Sequence, residues 1–233
     1  MKTVFYKTLI AAALAVSASQ AMAAGDSLDV KVIGQIVPSA CTVAVSGGAV
    51  FDYGTIKAET LATDDYTMLG VKTADLSVTC EAPTKVALLT TDMRAESVAA
   101  ISGKKWAANG GTVDASGVAS GLGLGDANGA HIGAWAMWME PTTVKADGNS
   151  VTPITTTTPA ISGDWQTPTT GTFWLAQTGQ YKSWAAPGTL TPVALTTLTG
   201  TLSVQAAINK GSELDLTQSI TLDGLANIQI YYI

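Results

Sequence analysis

Two cysteines, one histidine and a pair of adjacent aspartates are the residues in this chain whose types could do chemistry. Cys41 and Cys80 are its only thiols and His131 its only imidazole. A structural metal site needs about four such ligands, so the cysteines fit a disulfide better than a metal. Closing a loop of about 40 residues would stabilise the fold by roughly 3–4 kcal/mol in the chain-entropy model. His131 has no nucleophile at a recognisable spacing and reads as an ordinary polar residue entering a strand. Asp64 and Asp65 are neighbours on a turn, where carboxylates are usually solvated; a glycosidase pair would have to face one another across a cleft. GLGLG (Gly121–Gly125) lacks the flanking βαβ pattern of a nucleotide site. There is no GxSxG, HExxH, CxxC or phosphate-loop signature. The expectation is a protein that is not an enzyme and carries no cofactor or metal.

Six tryptophans outnumber three phenylalanines. Indoles stack on sugars, but they more often fill sandwich cores. Trp135 and Trp138 have opposite parity on one strand, so only one of them should face the main core.

These residues need elements to hold them, and the elements read as strands. Residues 1–23 stand apart: Lys2 and Lys7 precede the apolar Leu9–Val16, and Ala21-Met22-Ala23 offers small residues for cleavage, the pattern of a secretory signal. Without Lys2 and Lys7, 10 basic side chains face 18 acidic ones. That balance argues against nucleic acid and anionic membrane surfaces as partners. Strand candidates recur at Leu28–Val37, Cys41–Val45, Val50–Tyr53, Asp75–Cys80, Lys85–Thr91, Ala130–Met139, Thr172–Ala176, Leu198–Ile208 and Ser219–Tyr232. Many short strands with turn signals between them indicate an all-β sandwich or barrel. The region 95–171 is Gly- and Thr-rich and reads as an insertion.

The first and last strands are the best patterned. Leu28, Val30, Val32, Gly34 and Ile36 share one face of the first. Ile220, Leu222, Gly224, Ala226, Ile228, Ile230 and Tyr232 share one face of the last, opposite Thr221, Asn227 and Gln229. A regular apolar edge is normally avoided in soluble proteins because it recruits other chains.

SLDVKVIGQIVPSAC (Ser27–Cys41), ADLSVTC ending at Cys80, GLGLGDANGAHIGAWAMWM (Gly121–Met139) and the penultimate Tyr232 together resemble a divergent branch of the chaperone–usher fimbrial subunits. The resemblance implies an incomplete immunoglobulin-like β-sandwich, a pilin fold lacking its final strand, over residues 38–233. It implies an N-terminal donor strand over 24–37, carrying Leu28, Val30, Val32, Gly34 and Ile36. The groove for a chaperone or donor strand would be lined by Ile220, Leu222, Ile228, Ile230 and Tyr232. Main-chain hydrogen bonds would give affinity and alternate side chains would give register. Gly34 would mark a pocket with no room for a side chain, and Pro38 would end the donor strand. The implied partners are a periplasmic chaperone, an outer-membrane usher and neighbouring subunits, with a host glycan or other surface ligand as the adhesive target. The implied location is the periplasm and then a cell-surface fimbrium. Two other readings stand beside it: a small outer-membrane β-barrel ending on an aromatic strand, and a secreted carbohydrate-binding sandwich.

Overall fold

A computed structural model describes residues 31–36, 39–111, 113–116, 121–159, 163–168, 173–174 and 179–233. The expected signal sequence, and Leu28 and Val30 of the expected donor strand, lie outside them, as do Val37 and Pro38. The chain divides after Ile36 into two units. Of the first, Lys31–Ile36 is described. It makes no ladder, contrary to the strand expected at Leu28–Val37, because alternation becomes a strand only when a partner backbone is present. Val32, Ile33 and Ile36 are fully or nearly fully exposed.

The second unit, Val37–Ile233, is all-β apart from short helical turns. Eight strands among the described residues have five or more residues. They are β1 (Cys41–Val45), β2 (Lys72–Thr84), β3 (Val86–Asp92), β4 (Gly133–Met139), β5 (Thr152–Thr156), β6 (Tyr181–Ala185), β7 (Leu195–Ile208) and β8 (Ala226–Tyr232). All pairings between them are antiparallel. The larger sheet runs β1-β2-β7-β4 and ends on Phe173–Trp174; the smaller runs β5-β6-β3-β8. The expected strand at Thr172–Ala176 is described only at those two residues.

The two sheets share one apolar core, so the arrangement is sandwich-like. Leu76 and Val78 of β2, Trp138 of β4 and Leu198 and Leu202 of β7 meet Val86 and Leu88 of β3 and Trp184 of β6. Trp106, Trp138 and Trp184 are almost completely buried and Trp165 nearly so, which places these four indoles in packing rather than on an exposed platform. The region 95–171 is no simple insertion. It supplies β4, which pairs with β7 from Gly133↔Ile208 to Met139↔Leu202, and it supplies β5.

Two further expected strands are corrected. Val50–Tyr53 is irregular. It follows Gly47, Gly48 and Ala49, all at positive φ, and that left-handed turn takes the backbone off the ladder. Of Ser219–Tyr232, only Ala226–Tyr232 is strand. The partner β3 ends at Asp92, and the preceding apolar residues are used elsewhere. Ile220 and Leu222 pack on a second cluster, formed by Leu124, Ile132, Ala206, Ile208 and Leu214. At Gly224 a Cβ would come within 2.6 Å of Trp135 Nε1, so the indole requires glycine there.

Lys182 of β6 is 3% exposed and donates to Gln180 Oε1 at 2.6 Å and Thr155 Oγ1 at 3.1 Å. Burial pushes its ammonium down to about 8. A base whose folded value is depressed is held charged at a cost below that value. The cost is relieved as pH rises from about 8 to the unfolded value of 10.5. Stability should therefore gain up to ~3 kcal/mol from this group across that window. Lys182→Met should flatten the rise, as read from urea midpoints at pH 7.5, 9 and 10.

Candidate functional site

The candidate site is the side of the sandwich where both sheets end. β1 is the last strand of the larger sheet and β8 the last strand of the smaller. Cys41 lies opposite Cys80 and Val45 opposite Leu76 on β2; Ala226 lies opposite Asp92 and Tyr232 opposite Val86 on β3. Among the described residues neither strand has a ladder partner on its other edge.

Register decides which backbone groups that open side presents. The amide of Glu81 donates to the carbonyl of Ala40 at 3.0 Å. This flanking bond makes Cys41↔Cys80 a non-hydrogen-bonded pair, so the N–H and C=O of Cys41, and by alternation of Val43 and Val45, point away from β2. On β8 the amide of Met93 donates to the Leu225 carbonyl at 2.9 Å, and the Ile233 amide to the Lys85 carbonyl at 3.1 Å. These bonds set the same phase: Ala226, Ile228, Ile230 and Tyr232 present their backbone groups outward.

Apart from Tyr232, which is 39% exposed, the same residues have their side chains turned toward the core, and these are incompletely covered. Cys41, Val43 and Val45 on β1 and Ala226, Ile228 and Ile230 on β8 are only partly buried while packing on the core cluster. One strand further in, Leu76, Val78 and Leu88 are 0% exposed. The difference is that between the edge and the interior strands of these sheets. Neither β1 nor Ala226–Tyr232 contains a charged residue or a proline, the usual protections of an open edge.

The edges meet at one end, where the Cys41 amide donates to the Tyr232 hydroxyl at 2.9 Å. Cys41 is also disulfide-bonded to Cys80, with the Cα atoms 4.0 Å apart, inside the roughly 7 Å limit for bridging. On the outer face of the smaller sheet Tyr231 packs edge-on against Tyr181, with centroids 5.0 Å apart.

Of the residues expected to line a groove, Ile228 and Ile230 lie together on the inward face of β8, while Tyr232 is exposed and reaches the Cys41 amide instead. Ile220 and Leu222 are not on β8; they belong to the second cluster. Sequence reasoning missed β1 as the opposite wall, although the alternation of Cys41, Val43 and Val45 was available to find it. The other candidates for chemistry are not on β1 or β8, and His131 lines a surface pocket together with Tyr66, the neighbour of Asp65. His131 Nδ1 lies 2.6 Å from Asp126 Oδ1 on an exposed hairpin. Asp65 pairs with Lys104, and that bond is the main reason its carboxyl lies below the usual range. No group of three or more potential metal ligands occurs among the described residues.

The family model described as "Protein of unknown function (DUF1120)" matches residues 30–136, from before β1 into β4. "Protein GltF" of Escherichia coli (strain K12) is 33% identical over 244 residues, covering 96% of this chain and 96% of that protein. "Uncharacterized protein YhcF" of the same strain is 30% identical over 240 residues, covering 97% and 98%. With similarity running the length of both relatives, and the family model spanning β1 to β4, the chain belongs to the DUF1120 family together with proteins similar to GltF and YhcF.

Proposed function

We propose that this chain is an exported structural subunit that assembles by strand addition, in the manner of the chaperone–usher fimbrial subunits it resembles. In this reading the unit Val37–Ile233 is an immunoglobulin-like sandwich short of one strand. Residues 24–37 of a neighbouring copy supply that strand, and a periplasmic chaperone holds the place before assembly. An outer-membrane usher and a cell-surface fimbrium follow from the same reading, as does a role without catalysis, cofactor or nucleic acid. The observation that carries it is the pair of open, uncharged edges, β1 and β8, whose inward residues are half covered and whose outward backbone groups are in phase. Support also comes from the exposed apolar side chains of Val32, Ile33 and Ile36, which suit a segment that is buried only on meeting another molecule. The filled core around Trp106, Trp138 and Trp184 argues against a lipid-embedded barrel with an open lumen.

The test is expression of the full chain with its own leader, followed by size separation under native conditions. The expected result is recovery as a complex with a periplasmic chaperone, or as a head-to-tail oligomer series. The series should vanish when 24–37 is deleted, with chaperone binding retained. A full-length chain that is monomeric, protease-resistant and unchanged by the deletion would overturn the reading.

A further inference from the structure

We propose that the Tyr232 hydroxyl is a stop that sets the register of the incoming strand, an inference that rests on the strand-addition reading above. An edge strand offers its free backbone groups at every second residue. On β1 those residues are Cys41, Val43 and Val45, as the Glu81–Ala40 bond dictates. The first of the three is already taken, because the Cys41 amide donates to Tyr232 at 2.9 Å. The hydroxyl comes from the last residue of β8, the edge strand of the other sheet. One side chain therefore ties the two edges together and caps an edge donor where they meet.

Geometry gives this bond its consequence. Cys41 is fixed by its disulfide to Cys80, and Tyr232 is fixed by the ladder through Tyr232↔Val86 and by the flanking Ile233–Lys85 bond. Both backbones of the contact are held, so only rotation of the Tyr232 side chain releases the Cys41 amide. A strand entering between β1 and β8 can pair with Val43 and Val45, but the Cys41 amide that it would take next is already held by the tyrosine hydroxyl. Sliding the strand by two residues keeps its apolar face inward, so the hydrophobic pattern alone does not reject that slip. The hydroxyl does. Tyr232 is thus a positioning residue, and a phenylalanine in its place would keep the ring and lose the cap.

Amide hydrogen exchange followed by NMR on the oxidised chain tests this, with the free protein and the synthetic peptide Ala24–Val37 as the two conditions. In the free wild type the Cys41 amide should exchange at least tenfold more slowly than those of Val43 and Val45. Adding peptide should slow Val43 and Val45 at least tenfold and leave Cys41 unchanged. In Tyr232→Phe the Cys41 amide should exchange fast in the free protein and become protected on adding peptide, as the strand advances into the vacated position. Equal Cys41 exchange in wild type and Tyr232→Phe would overturn the cap. Fast Cys41 exchange in the peptide-bound variant would overturn the stop. Failure of the peptide to protect Val43 and Val45 in the wild type would instead count against strand addition itself, while the free-protein comparison still decides the cap.

Discussion

Reducing the Cys41–Cys80 bridge should lower the unfolding free energy by about 3–4 kcal/mol, the loop-closure entropy for a sequence separation of 39. The effect should be comparable to that of a large core truncation, and the place of the bridge decides which element is lost first. β1 is five residues long and laddered on one side only, and an edge strand that short contributes few hydrogen bonds to hold itself. Its inward residues are only partly buried, so apolar cover is reduced as well. The disulfide joins directly opposed residues and thereby fixes the register of the whole β1–β2 ladder. Cys41→Ser with Cys80→Ser should match the reduced protein and add the cost of a polar group at position 80, which is 6% exposed. Urea titration of oxidised, reduced and doubly substituted protein measures this. β1 should be lost before the rest of the sandwich, so the reduced form should also show early loss of exchange protection at Cys41–Val45. A midpoint change equivalent to less than about 1 kcal/mol would mean that β1 is held by packing rather than by the bridge.

The strands most legible in the sequence were those whose alternation serves the shared core. Asp75–Cys80 lies inside β2, Lys85–Thr91 almost coincides with β3, and Leu198–Ile208 lies inside β7. In each, one apolar row meets the core and a partner ladder exists on both sides. Where legibility failed, tertiary context was the cause. Ile220 and Leu222 alternate as strand residues do, yet they cover a second apolar cluster that no local pattern announces. Gly224 breaks the apolar row because an indole from β4 lies against it, a contact 89 residues distant in the chain by the numbering of Trp135 and Gly224. Val50–Tyr53 has the composition of a strand and follows a turn that removes it from the ladder. At the candidate site, Ile228 and Ile230 were readable as inward residues. The role of Tyr232 was not, since a hydroxyl capping an amide across the sandwich depends on where two sheets end.

The second large effect concerns the segment 24–37. A chaperone-bound subunit mixed with the synthetic peptide Ala24–Val37 should release its chaperone, whereas a peptide of the same composition in scrambled order should not. The physical reason is alternation. Leu28, Val30, Val32 and Ile36 fall on one side of an extended chain, the side that would cover the half-buried Val43, Val45, Ile228 and Ile230. Exposed, as Val32 and Ile36 are at 95% and 101%, these side chains gain about 1.5–3 kcal/mol each on full burial. Position 34 breaks the row with glycine. If the cleft is shallow opposite that position, Gly34→Leu must displace core atoms, and overpacking of that kind costs ~1–3 kcal/mol. Displacement should then slow by about 5- to 160-fold, with the chaperone complex itself unchanged. Ile228→Asp on the subunit should abolish displacement by every peptide, because it places a carboxylate in the wall the peptide must cover. The readout is chaperone release followed by native gel or fluorescence. Displacement by scrambled and native peptides alike would reduce the interaction to nonspecific apolar contact. No displacement by either, from this or a sister subunit, would remove the donor role from 24–37. If Gly34→Leu instead works as well as the native peptide, the donor role survives and the glycine marks no pocket.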